Sequence, residues 1–179
     1  MLLEAKESAL LVIDVQEKLL PHIHDGAAVA EHTSWLVKVA TRIGVPVLAT
    51  EQYPKGIGPT HAGLAALLPS PPKQKMHFSC VASGCLDGEP AYARRQIVLA
   101  GIEAHVCVLQ TALELRALGR EVFLVDEATG SRRPSDKALA IERMRAHDVS
   151  IVSREMAAFE WLHESGTPLF KEISREFLR

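Results

Sequence analysis

The run Ala9-Leu10-Leu11-Val12-Ile13, closed by Asp14, most constrains the fold of this chain. Its five apolar residues are continuous rather than alternating. A strand with one face in water alternates, whereas an unbroken run suits a strand covered on both faces, as in a parallel sheet between helices. Further segments repeat the theme. Residues 27–43 carry Val29, Leu36, Val37, Ala40 and Ile43 at helical spacing, with Gly44 as the stop. Residues 45–50 form a second strand, with Pro46 near its start, where proline is tolerated. A Pro- and Gly-rich loop over 51–61 leads to a short helix through Leu67, and 74–76 is a brief third strand. Strands follow at 96–100, 121–126 and 149–152. Helices are predicted through Leu118, over 134–146 with Leu139 and Met144 turned inward, and over 156–163 and 169–178. Six strands alternating with helices predict an α/β, three-layer α-β-α fold around an open, mostly parallel sheet.

With 179 residues, one domain over 1–179 is expected. Formal net charge is −2, which advertises neither a nucleic-acid nor an anionic-membrane partner. No apolar run is long enough to span a bilayer, and the N-terminus lacks a signal-peptide pattern. The three cysteines, Cys80, Cys85 and Cys107, are odd in number and not spaced as a zinc knuckle. They read as reduced thiols in a cytoplasmic protein.

In open α/β sheets, ligands bind beyond the carboxyl ends of the strands. Three chemically complementary residues fall there. Asp14 ends the first strand, Lys75 lies on or just after the third, and Cys107 follows the fourth at a helix start. A thiol at a helix N-terminus sits in the positive end of the helix dipole, beside backbone N–H groups that no helical carbonyl satisfies. That setting favours thiolate, the nucleophilic form. Asp14 could take the thiol proton and pass it to a leaving group, while Lys75 could favour negative charge nearby. Each residue also has a plain structural reading: Cys107 as a buried core thiol, Asp14 as a turn residue or cap, Lys75 as a solvated surface charge. Their conjunction at the same sheet edge carries the functional reading.

The chain resembles the isochorismatase-like cysteine hydrolases, which include nicotinamidases and N-carbamoylsarcosine amidases. The segments that carry the resemblance are Leu11-Val12-Ile13-Asp14-Val15-Gln16, Lys75-Met76-His77-Phe78-Ser79-Cys80, Gly101-Ile102-Glu103-Ala104-His105-Val106-Cys107-Val108 and Leu124-Val125-Asp126-Glu127-Ala128-Thr129-Gly130-Ser131-Arg132. Thr50-Glu51-Gln52-Tyr53-Pro54-Lys55-Gly56 is similar to the isochorismatase domain-containing subgroup, whose activities are largely unassigned. The resemblance implies a Rossmann-like sheet of order 3-2-1-4-5-6 and a catalytic triad of Asp14, Lys75 and Cys107. It also implies a cis peptide at Ile102–Glu103 and an oxyanion hole from the backbone N–H groups of Glu103 and Cys107.

Departures narrow the chemistry. Nicotinamidase-like relatives hold a metal through an Asp-x-His pair and a further His after strand two. Here that loop begins Glu51-Gln52-Tyr53-Pro54, and His61 is its only histidine. No catalytic metal and no other cofactor are therefore expected. His105 stands where many amidases of the family carry an acid, and the cysteine nucleophile argues against vinyl-ether hydrolysis. The expected function is cleavage of a small amide or carbamoyl C–N bond through a Cys107 thioester. The alternatives are a catalytically weak interaction protein on the same fold and a thiol-sensing protein using Cys107 with Cys80 or Cys85. Cys80 and Cys85 are expected to be ordinary reduced thiols, and His77 and His105 to pack or lie at the surface rather than assist. A net lowering of the Cys107 pKa is expected, two stabilising influences opposing one. Apolar residues near the C-terminus, Phe159, Trp161, Leu162, Leu169, Phe170, Ile173, Phe177 and Leu178, suggest a homo-oligomer.

Overall fold

The sheet is built outward from the apolar run. In the computed structural model, which describes residues 1–178, strand β1 spans Ser8–Ile13 and is buried along its whole length. Helix α1 (Gly26–Ile43) leads to β2 (Val47–Gln52), followed by the short helices α2 (Pro54–Ile57) and α3 (Ala62–Ala65). Strand β3 (Lys73–Lys75), helix α4 (Cys80–Ser83) and strand β4 (Gln96–Ile102) come next. A π-type turn at Ala104–Val108 precedes α5 (Leu109–Ala117), then β5 (Glu121–Gly130), α6 (Pro134–Arg145), β6 (Ser150–Val152), α7 (Arg154–Leu162) and α8 (Pro168–Phe177). The six strands are all parallel, in the order β3-β2-β1-β4-β5-β6. This is the expected topology. It puts β1 between β2 and β4, so the order reverses beside the end of β1.

Successive side chains of β1 point to opposite faces, and both faces are covered. Leu10 and Val12 join Leu36, Val37 and Ala40 of α1 and Ala157 and Trp161 of α7 in one core. Ala9, Leu11 and Ile13 join Leu109, Ala112 and Leu115 of α5 and Ala140 and Met144 of α6 in the other. Cys80 and Cys107 belong to that second core. Burial of this kind contributes roughly 25 cal/mol per Å² of apolar surface, which is why an unbroken apolar run is held at the centre.

Two glycines fix the chain where a side chain could not. Gly44 ends α1 at φ 92, its N–H donating to Ala40 and Thr41 carbonyls. Gly101 has φ 128, and a Cβ there would stand 2.1 Å from the Ile13 carbonyl oxygen. Only glycine lets β4 approach the end of β1 so closely, just where Asp14 and Cys107 leave the sheet.

Several boundaries differ from the sequence reading. Strand β2 continues through Glu51 and Gln52, because these polar side chains are buried and bonded at the sheet edge. Strand β5 runs four residues past Asp126, with a register shift against β4 between Leu99 and Gly101. Asp126 and Glu127 sit within that irregularity. Leu139 is exposed rather than inward, since Ala140 and Met144 form the buried face of α6. Among the described residues, no helix is long and apolar enough to cross a membrane.

Of the apolar C-terminal residues, Trp161 and Ile173 are buried within their own chain, and Phe177 packs edge-on against Trp35. Phe159 stays exposed while its ring lies 6.2 Å from that of Phe170.

Candidate active site

Asp14 leaves β1 in the left-handed region at φ 54, a conformation Asp tolerates better than most residues, and its side chain is fully buried. Its N–H donates to the Thr50 carbonyl at 3.2 Å. Oδ1 accepts from the Thr50 hydroxyl at 2.8 Å, and Oδ2 accepts from Lys75 Nζ at 2.7 Å. Lys75 ends β3 with its side chain at 0% exposure, so the surface-charge reading fails. Besides Asp14, its ammonium faces Gln52 Oε1 at 2.7 Å, the Phe78 carbonyl at 2.9 Å and the His77 carbonyl at 3.3 Å. A buried charge is tolerated only when paired and hydrogen-bonded, and this one is both. Burial would lower the Lys75 pKa, but the charges of Asp14 and then Cys107 outweigh it and hold it above the ordinary value.

Cys107 lies in the π-type turn, two residues ahead of α5, rather than in the first turn of a regular α-helix. The Glu103 carbonyl accepts from Val106 N–H at 3.1 Å and Val108 N–H at 3.2 Å, the residues on either side of Cys107. Turns of this kind recur at functional sites. The peptide bond Ile102–Glu103 is cis, as the resemblance implied. The Glu103 carboxylate accepts from the Arg132 side chain at 2.9 Å and so is turned toward the β5–α6 loop.

Asp14 and Lys75 are the charges that act on the Cys107 thiol, which places the three residues in one neighbourhood at the carboxyl edge of the sheet. The expectation of a lowered pKa is corrected, however. Burial first, and then the Asp14 charge, push the thiol up to about 12, against the opposing pull of Lys75. A helix start placed by sequence spacing carries no information about depth, and desolvation is the larger influence here. Burial and the neighbouring Asp14 charge both favour the protonated form of the Cys107 thiol.

Three further residues build the site and received no role in the sequence reading. Thr50 fixes Oδ1 of Asp14. Gln52 receives Lys75 and donates from Nε2 to the Met76 carbonyl at 2.7 Å. Gln16 holds Gln52 through both backbone groups, accepting from its N–H at 2.7 Å and donating to its carbonyl at 3.0 Å. The available signal was polar residues at strand ends of a sheet buried on both faces. His77 contributes its carbonyl. The His105 ring is engaged elsewhere, with Nδ1 3.0 Å from Ser131 Oγ. A cavity of about 470 Å³ opens beside Lys75, lined by Tyr53, Pro54, Gln74, Met76, His77 and others.

The strand-two loop does not suit a metal of the nicotinamidase kind. The Glu51 carboxylate is taken by the N–H and hydroxyl of Thr60, at 2.7 and 2.8 Å, and Gln52 by Lys75 and Met76. Among the described residues, no group of three or more His, Cys, Asp or Glu is arranged to hold a metal ion.

This fold and these strand-end residues define a class. The isochorismatase domain matches residues 8–156, and the chain belongs to that family. It is an isochorismatase-family hydrolase with its substrate unassigned. Isochorismatase domain-containing protein 2 of Danio rerio is 34% identical over 178 residues, covering 97% of this chain and 88% of the relative. A structure described as MAR1 ribonuclease from Caenorhabditis elegans superposes with a TM-score of 0.90 at 31% identity, covering 100% of this chain and 93% of that one. The YcaC gene product of Escherichia coli, described as an octameric hydrolase of unknown specificity, shares the fold with a TM-score of 0.85 at 23% identity, over 92% and 83% of the two chains.

Proposed function

We propose that this protein is a cysteine hydrolase that cleaves the C–N bond of a small amide or carbamoyl compound through a thioester on Cys107. The observation that supports the reading is the fully buried Asp14–Lys75 pair, 2.7 Å apart, whose charges act on the Cys107 thiol. In this reading Asp14 accepts the thiol proton as Cys107 Sγ attacks the carbonyl carbon. The backbone N–H groups of Glu103 and Cys107 receive the developing oxyanion. Collapse of the tetrahedral species breaks the C–N bond, and Asp14 returns the proton to the departing nitrogen. Water then attacks the thioester, giving its proton to Asp14, and the free acid and thiol are restored. Lys75 positions Asp14 and balances the negative charge that moves between Asp14 and Cys107. A thiol kept protonated until a carbonyl is bound is protected from side reactions.

The Caenorhabditis elegans neighbour is described as a ribonuclease. RNA is not the proposed substrate here. Net charge is −2, and Lys75, the cation of the site, is enclosed by Asp14, Gln52 and two carbonyls. The reading extends to a reducing compartment, which suits three free cysteines, and to a homo-oligomer joined partly through the exposed Phe159. A monomer mass by light scattering at micromolar concentration would remove the oligomer.

The test is ammonia release from a panel of small primary amides and ureides. At least one should be turned over, and Cys107→Ala should lower that rate by about a thousandfold or more with the fold unchanged. Equal rates in wild type and Cys107→Ala would remove the thioester mechanism.

A further inference from the structure

Lys75 is held on one side by Asp14 and Gln52 and on the other by its own chain. The carbonyls of His77 and Phe78 accept from Nζ at 3.3 and 2.9 Å, so the segment after β3 folds back over its lysine. Packing does not keep it there. Met76 and Phe78 are 68% and 51% exposed, and His77 is exposed as well. Burial resumes at Ser79 and Cys80, where α5 takes hold of the chain. Ser79 Oγ donates to Glu114 Oε2 at 2.6 Å and accepts from the N–H groups of Val81 and Ala82 at 3.1 and 3.3 Å. The same Glu114 oxygen accepts from Ala82 N–H at 3.1 Å, and Thr111 Oγ1 accepts from Cys80 N–H at 3.0 Å. Thr111 and Glu114 share one face of α5, the helix that follows the Cys107 turn.

We propose that Glu114 is a positioning residue for the site. Through Ser79 it fastens the turn over 76–79 to α5, so that the His77 and Phe78 carbonyls keep the Lys75 ammonium against Asp14 and away from water. Its effect on amide cleavage rests on the hydrolase reading, whereas its hold on Lys75 does not.

A hydroxyl that donates to a carboxylate makes one of the stronger hydrogen bonds. An exposed turn without buried side chains opens at little cost unless such a bond anchors it. Opening this one withdraws two of the four acceptors around Nζ and admits water to a charge pair that is strong because it is dry. The helix that carries the clasp also follows the nucleophile's turn, so Lys75 and Cys107 are placed by the same rigid element. The plain structural reading is that Glu114 only steadies the short helix α4. The two readings part at Lys75, which a mere support for α4 would leave sealed.

The experiment compares full-length wild type, Glu114→Ala, Glu114→Gln and Ser79→Ala. Each is treated briefly with acetic anhydride, then unfolded, digested with trypsin and mapped, because an acetylated Lys75 blocks cleavage after that residue. Lys75 should be protected in wild type, its side chain being 0% exposed. Glu114→Ala should raise its labelling rate by about tenfold or more, the factor expected for one hydrogen bond to a charged group. Glu114→Gln should recover most of the protection, since its amide oxygen still accepts from the Ser79 hydroxyl and the Ala82 N–H. Ser79→Ala should match Glu114→Ala, and reads the same contact should Glu114→Ala lose its fold. Combining the two should add little, because both remove one contact. Equal protection of Lys75 in all variants, or fully additive losses, would overturn the proposal whether or not any amide is hydrolysed. With an amide that is turned over, Glu114→Ala should lower kcat by about tenfold with KM nearly unchanged, and Glu114→Gln should restore it. An exposed Lys75 with unchanged kcat would overturn the effect on catalysis.

Discussion

Cys107 and Cys85 lie in the same molecule under opposite regimes. Cys107 is sealed in the core beneath α5, and burial and the Asp14 charge push its thiol up to about 12. Cys85 sits half-buried on the loop after α4, and Cys80 brings it down to about 6. Lys75 pulls both in the same direction, so the cation does not decide the difference. Depth and the neighbouring group do: the Asp14 charge raises one thiol, and Cys80 lowers the other. A half-buried thiol with a lowered pKa is the more open of the two to an electrophile. A thiol behind a carboxylate reacts only when that carboxylate takes its proton, which ties reactivity to a correctly placed substrate.

The contrast can be broken most simply with iodoacetamide at neutral pH. Cys85 should be alkylated faster than Cys107 by about a hundredfold or more, because thiolate fraction and access both favour it. Peptide mapping over time decides this, and comparable rates at the two sites would remove the distinction. Next in size is Lys75→Ala. It leaves Asp14 buried without its counter-charge, and removing one partner of such a pair costs about 3–5 kcal/mol. Urea denaturation should show a loss of that order, and a loss near that of a surface substitution would mean the pair is not sealed from water. Thr50→Val, which deprives Asp14 Oδ1 of its donor at 2.8 Å, should cost less, about 1–3 kcal/mol.

The smallest expected effect is on stability against pH, and the two thiols act with opposite sign. The Cys107 value is raised from 9.0 to about 12, so the unfolded chain releases its proton first. Its contribution is complete below about pH 9 and is lost as pH rises toward 12. The Cys85 value is lowered from 9.0 to about 6. That contribution is present above about pH 9 and is lost as pH falls through 6. Melting temperatures of Cys107→Ala and Cys85→Ser followed over both windows should each flatten one slope.

Much of this was legible in the sequence because the hydrophobic pattern is strong where the sheet is buried. The run at 9–13 marked the central strand, and the apolar segment at 96–100 marked its neighbour, so Asp14 and Cys107 could be placed at one edge. Lys75 was harder, since β3 has only three residues and its lysine looks like any surface lysine until Asp14 and Gln52 enclose it. Thr50, Gln52 and Gln16 were passed over because their importance comes from hydrogen bonds between strands, which linear spacing does not reveal. Strand β5 was cut short at Asp126 because a charge usually ends an apolar run, and here the chain passes through an irregularity and re-enters the sheet. The sign of the Cys107 shift was misjudged for a related reason. Motif position indicates a helix start, but depth beneath α5 is a tertiary property, and depth prevails.

The role of Asp14 as the group that withholds and then accepts the Cys107 proton is tested most directly by Asp14→Asn. Its alkylation at Cys107 should be followed against pH alongside ammonia release. The Asp14 charge outranks Lys75 among the influences on Cys107, so its removal lowers the thiol pKa even if the stranded ammonium gives up its proton. The expected result is alkylation that rises at lower pH than in wild type, together with loss of turnover: a more reactive thiol in a less active enzyme. A midpoint that stays in place or moves upward, or turnover that survives the substitution, would contradict the account.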